Sequence, residues 1–177
     1  MKNRVRLFLS QKRKSKKRVE HAYLRYRELA RDIINQRIEY WSKQADFTSS
    51  SRIATGFYPL NIGGYVFTYN RVAIRNQKRR WGSCSSLKNL NFNYKLIFLP
   101  YELADYIIVH ELCHLQELHH GPAFWQKVET MLPDYKERMS KLRWIEKQCG
   151  TSISKLTKLS DHYPGDSTTL MKLECGK

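Results

Sequence analysis

Apolar side chains recur at three- and four-residue steps from Arg18 to Lys43: Tyr23, Tyr26, Ala30, Ile33, Ile34, Ile38 and Trp41. This period predicts a long amphipathic helix with Arg25, Arg27, Arg31, Asp32 and Arg37 on its other face. Residues 46–64 read as loop: 47–51 are mostly short and polar, Pro59 interrupts, and Gly63-Gly64 marks a tight turn. Between Tyr65 and Arg75, Val, Ile, Phe and Tyr are dense and Val72 and Ile74 alternate with Arg71, Ala73 and Arg75, which predicts a strand. A second strand is expected where Leu90, Phe92, Tyr94 and Leu96 alternate and run into Ile97, Phe98 and Leu99. The two flank a Trp81–Ser86 connection, so an antiparallel arrangement is expected. Small residues behind one tryptophan also point to a close backbone approach there.

Helical spacing returns after Pro100, with Leu103, Ile107, Ile108, Leu112 and Leu115 facing a core and Gly121-Pro122 ending the helix. Pro122 then opens another helix with Phe124, Trp125, Val128 and Leu132 on its apolar face. Asp134 is expected to cap a last helix from about Tyr135, stopped by Gly150. Its apolar surface draws on Tyr135, Met139, Leu142, Trp144, Ile145 and Cys149, with Lys136, Arg138, Lys141 and Arg143 outside. The expected class is α+β, a small antiparallel sheet packed on helices. Three parts are expected: a basic segment 1–17, a folded domain 18–150 and a poorly ordered tail 151–177.

At 177 residues and 41% hydrophobic content the chain can build one domain with a proper core. Its net charge of +16 changes the picture, because it favours acidic partners: nucleic acid, a phosphate-rich ligand or an anionic surface. The charge is densest at the start, where residues 1–18 contain no acid and include K-R-K-S-K-K-R from Lys12. Val5, Leu7 and Leu9 alternate, as in a short edge strand, and a solvated basic stretch follows. Weak polyanion binding is the functional expectation for this segment. No stretch is apolar and long enough to span a membrane, and the first ten residues hold too short an apolar run for a secretory leader, so a cytoplasmic protein is expected. Cys84, Cys113, Cys149 and Cys175 show no C-x-x-C spacing and are expected to be thiols. Cys84 can be read as a nucleophile or a metal ligand, of which the nucleophile is not expected because a metal-water mechanism is already available, and Cys113 is read as a buried packing thiol.

The chemistry concentrates in H-E-L-C-H-L-Q-E-L-H-H, from His110 to His120. His110 and His114 are four residues apart, about 40° apart on one helix face, so two imidazoles can share a metal ion. Glu111 can hold a water on that metal, the arrangement of zinc-dependent hydrolases. A catalytic zinc needs a third protein ligand and an open fourth position, and His119 or His120 can supply the third. Metal-activated water also attacks phosphorus, and Arg75, Lys78, Arg79 and Arg80 could neutralise phosphate. A nucleotide or phosphoanhydride hydrolase is therefore the alternative enzyme class. A nucleic-acid-associated protein with structural zinc, or a protease acting on DNA-bound protein, would also use the charge.

The sequence resembles the YgjP-like (WLM-related) metallopeptidase family and, more distantly, SprT-like zinc proteases. The resemblance rests on R-R-W-G-S-C-S from Arg79, L-I-F-L-P from Leu96, H-E-L-C-H from His110 and H-G-P-A-F-W from His120, covering roughly residues 65–148. It implies a zincin-like fold, a zinc cofactor held by His110, His114 and His120, Glu111 as general base, and a peptide or protein substrate. It selects His120 over His119. The chain departs from the family pattern in His119 and Gly121 around that histidine, and in N-Y-K-L at Asn93–Leu96 where the family has N-W-R-L. An exposed strand edge around Arg75–Ser85 is expected to hold an extended peptide by β pairing.

Overall fold

The computed structural model describes residues 2–43, 58–62, 65–149 and 156. The expected turn at Gly63-Gly64, the stop at Gly150 and the tail 151–177, apart from buried Leu156, lie outside them. Helix α1 runs unbroken from Lys2 to Lys43. Val5, Leu7 and Leu9 are therefore helical and form no edge strand. The predicted apolar stripe faces the core: Ala30, Ile33, Ile34 and Ile38 are buried, and Tyr23, Tyr26 and Trp41 pack at its margin.

Strands β1 (Tyr58–Ile62) and β2 (Tyr65–Tyr69) pair antiparallel, Tyr58 opposite Tyr69. Pro59, read above as a loop residue, thus lies in a strand, tolerated because a two-stranded sheet consists only of edges. Strands β3 (Arg71–Arg75), β4 (Gly82–Cys84) and β5 (Asn89–Asn93) form a second sheet in the order β3-β5-β4. Here the expected antiparallel pairing is corrected. β3 and β5 run parallel, Arg71 opposite Asn89, and the antiparallel partner of β5 is β4. The sequence hid β4 because three small residues show neither alternation nor strand propensity. The chain leaves β3, crosses to the far edge, descends as β4 and returns through a turn in which Lys88 adopts a left-handed φ of 57°.

The second predicted strand is also shorter than expected. It stops at Asn93, and Tyr94–Phe98 form a 3-10 helix capped by the Asn93 side chain, whose Oδ1 accepts the Lys95 N–H at 3.3 Å. Tyr94, Leu96, Ile97, Phe98 and Leu99 are all buried, and a short wholly buried apolar run does not declare its period.

Helices α2 (Tyr101–Cys113), α3 (Pro122–Met131) and α4 (Tyr135–Cys149) complete the layer. Leu103, Ile107, Ile108, Leu112 and Leu115 are buried, as their spacing requires. The α4 boundary is near the predicted one, but the Asp134 carboxylate receives Arg138 Nε at 2.9 Å and Trp144 is 43% exposed. Helix α1 is fastened to this layer by polar contacts that periodicity did not reveal. Tyr23 donates its hydroxyl to the Ile74 carbonyl at 3.1 Å. Arg37, assigned above to the outer face, makes a two-pronged ion pair with Asp105 of α2 at 2.8 and 2.6 Å. The fold is α+β, with small sheets packed on helices. Among the described residues no helix is long and apolar enough to cross a membrane.

Candidate metal centre

Helix α2 is buried on nearly every side, which fixes what its last turn presents. His110 and Glu111 are its residues, and His114 follows as its cap, still in helical conformation at φ −64°. The helix was expected to run on toward Gly121. It ends at Cys113 instead, because the backbone tightens: Leu115 N–H bonds to the Leu112 carbonyl and Gln116 N–H to that of Cys113. The chain thereby turns early enough for residues 114–120 to loop back over the helix end.

That loop delivers His120. Its Nε2 lies 3.0 Å from His110 Nε2 and 3.1 Å from His114 Nε2. His110, His114 and His120 form the one cluster of metal-ligating side chains among the described residues, with their ligand atoms all within 4.8 Å of one another. His119 is exposed and outside it.

The histidines are held from below and from the side. The fully buried Phe124 ring lies 4.9, 4.5 and 4.8 Å from the rings of His110, His114 and His120. Trp125 stacks on His120 at 5.6 Å and donates its indole N–H to the His120 carbonyl at 3.1 Å. Tyr135 stacks in turn on Trp125 at 5.5 Å. Aromatic contacts of this kind contribute about 0.5–1.5 kcal/mol each. Lys127 of α3 pairs with Glu117 at 3.0 Å and ties down the loop.

The donor set fits zinc. Nε2 separations of 3.0 and 3.1 Å are close to the roughly 3.3 Å edge of a tetrahedron with zinc–nitrogen bonds of about 2.0 Å. Burial, then the neighbouring His114 and His120, push the His110 imidazole down to about 3, so it is neutral as a ligand must be. Burial also lowers His114. Its Nδ1 lies 2.8 Å from the Glu117 carbonyl, which can only accept, so the proton sits on Nδ1 and the Nε2 lone pair is free for metal. His110 Nδ1 is buried without a partner among the described residues.

Glu111 stands beside this cluster and is only 7% exposed. Burial pushes its carboxyl up to about 8, opposed by the charge of Arg80 and by a hydrogen bond from the Cys84 backbone N–H. Its Oε2 is buried and has no hydrogen-bond partner among the described residues. A buried carboxyl with one oxygen lacking a partner among the described residues, beside three converging imidazoles, is an arrangement that a bound cation favours. Burial and the Glu111 charge raise the Cys84 thiol to about 11, which keeps it protonated near neutrality and unsuited to nucleophilic attack. Cys113 is fully buried with its sulfur 3.8 Å from that of Met131, a packing role as expected.

Two supports were not singled out from the sequence. Asn93 is completely buried, and its amide donates to the carbonyls of Gln77 and Arg80 at 2.8 and 3.0 Å, holding the loop that leads into β4. Trp81 donates its indole N–H to Glu146 of α4 at 2.9 Å. The polar Asn93 at the end of an apolar strand was the available signal for the first. The second joins residues too distant in sequence for any local pattern.

Residues 60–145 match the family described as YgjP-like, metallopeptidase domain. Among solved structures, the metallopeptidase zymogen of Pyrococcus abyssi abylysin is similar at 20% sequence identity and a TM-score of 0.41, over 64% of this chain and 90% of that one. No match emerged among curated protein sequences.

Proposed function

We propose that the chain, whose residues 60–145 match the YgjP-like metallopeptidase domain, is an enzyme that cleaves peptide bonds with one zinc held by His110, His114 and His120 and Glu111 as general base. The observation that carries this reading is the convergence of three imidazole Nε2 atoms beside a buried carboxyl with one oxygen lacking a partner among the described residues. The domain is read as zincin-like on the same grounds. When bound, zinc supplies Lewis acidity and a water of lowered pKa. Glu111 Oε2, free of any partner among the described residues, is the atom that would take up a proton beside the three histidines and hand it to the leaving amine.

The substrate is read as an extended peptide laid along β4, the edge strand within the expected Arg75–Ser85 region. Trp81 and Ser85 direct their backbone groups at β5, through Asn93 N–H to the Trp81 carbonyl at 2.7 Å and Ser85 N–H to the Asn89 carbonyl at 3.0 Å. By ladder alternation Gly82 and Cys84 face outward. Glu111 takes the Cys84 N–H, which leaves the Gly82 N–H and carbonyl for a peptide.

The test is paired: purified protein with zinc is offered a diverse peptide library and a nucleotide panel, with Glu111→Gln as control. Glu111-dependent peptide cleavage is expected. Glu111-dependent release of phosphate or pyrophosphate with every peptide intact overturns the reading in favour of phosphoanhydride chemistry at Arg75, Lys78, Arg79 and Arg80. Separately, the net charge of +16 and the basic start of α1 are read as a weak, sequence-independent polyanion surface. Binding to a fluorescent duplex should fall steeply between low and moderate salt, and no binding at low salt removes that partner.

A further inference from the structure

Gly82 lies in β4 directly against Glu111. A Cβ added there would fall 2.6 Å from Glu111 Cγ, 2.7 Å from Oε1 and 2.9 Å from Cδ. No heavy atom fits at those distances. Space alone imposes glycine, since the Gly82 φ lies outside the left-handed range that would call for it. Glu111 cannot move aside cheaply, because its side chain is buried and its carboxyl draws on the Cys84 backbone N–H.

We infer that Gly82 and the Cys84 backbone together set the position of the Glu111 carboxylate, and that Gly82 is a positioning residue for the general base. The inference rests on the peptidase reading for its catalytic meaning, but its structural content stands on the packing itself. β4 is held in turn by the Asn93 contacts to its approach loop, by Trp81 on Glu146 and by pairing to β5. The carboxylate therefore takes its position from a rigid edge strand and not from its own helix alone. A side chain at 82 would turn Glu111 off the Cys84 N–H and away from the imidazole cluster. A misplacement of about 1 Å at a reacting group costs on the order of 100-fold in rate.

The first test reads structure without activity. Hydrogen exchange at the Cys84 amide of the full chain should be slow in the wild type, although that amide faces the open strand edge. Gly82→Ala should speed it roughly 10-fold or more, with Ser85 unchanged because it bonds to β5. Exchange at Cys84 equal in the two proteins overturns the inference. Thermal melting supplies a cycle that survives poor folding of the single variant. In a Glu111→Ala background the clash is gone, so adding Gly82→Ala should not lower the Tm further, and an undiminished extra loss overturns the inference. With an authentic substrate, Gly82→Ala should lower kcat about 100-fold at nearly constant KM and zinc content, and should add nothing to the loss in Glu111→Gln. Additive losses would mean that Gly82 acts on something other than Glu111. Wild-type protein that cleaves no peptide yet shows the exchange and melting behaviour refutes the peptidase reading and leaves the positioning role intact.

Discussion

Glu111 and His120 reach the same centre by opposite means. Glu111 is placed by burial: it is 7% exposed, its helix is enclosed, and β4 meets it at van der Waals limits. His120 is exposed on the loop after α2 and is placed by rings, with Phe124 beneath it and Trp125 stacked beside it. The difference teaches that the carboxylate proposed as base and the histidine proposed as third ligand are held by separate structures. The base should tolerate no change in its surroundings, while the ligand loop can be perturbed without disturbing the carboxylate.

The sharpest way to break this comparison is Glu111→Gln. The amide keeps the shape of the side chain but cannot take a proton, so turnover should fall about 100- to 10,000-fold with zinc content unchanged. Peptidase assays beside metal analysis check both halves. Zinc lost together with activity would show that base and ligand set are not separable.

Next in size, His120→Ala should weaken zinc by more than the roughly 10- to 100-fold that outer contacts of a metal site carry, whereas His119→Ala should do little. Competition with a chromophoric chelator reads the two affinities. Equal effects would dissolve the assignment of His120.

The rigid side can be sharpened through its remote anchor. Asp105 and Arg37 are 9% and 18% exposed, so Asp105→Ala leaves a largely buried guanidinium unpaired and should cost about 3 kcal/mol of stability in urea unfolding. The folded variant should bind zinc as before, because the ion pair touches none of the ligands. The smallest effect is expected at Cys84→Ala. The base uses the backbone N–H at this position and not the thiol, so turnover should stay near wild type, and a large loss would give the sulfur a role denied to it here.

Much of this architecture was legible because it is local. The buried stripe of α1, the apolar face of α2 and the pairing of His110 with His114 follow from the 3.6-residue period, since residues three and four apart share a helix face whatever surrounds them. The same rule sets Glu111 next to the first ligand. Short or concealed elements were not legible: β4 is three small residues, and the 3-10 helix is an apolar run whose alternation imitates a strand. Arg37 looked like a solvated charge because its partner lies on another helix.

The amino-acid sequence by itself determined which residue types could hold a metal, which helix would carry two of them, and that His119 or His120 had to return for the third. The family resemblance chose His120 of the two, and the tertiary structure shows how it returns: α2 tightens and stops at Cys113, and the rings of Phe124 and Trp125 receive the loop. Tertiary structure alone decided the parallel pairing of β3 with β5 and the approach of Gly82 to Glu111 across 29 positions of chain. Local spacing constrains only neighbours along a helix or strand. Contacts between distant segments are chosen by which surfaces can be buried together without a clash or an unpaired polar group.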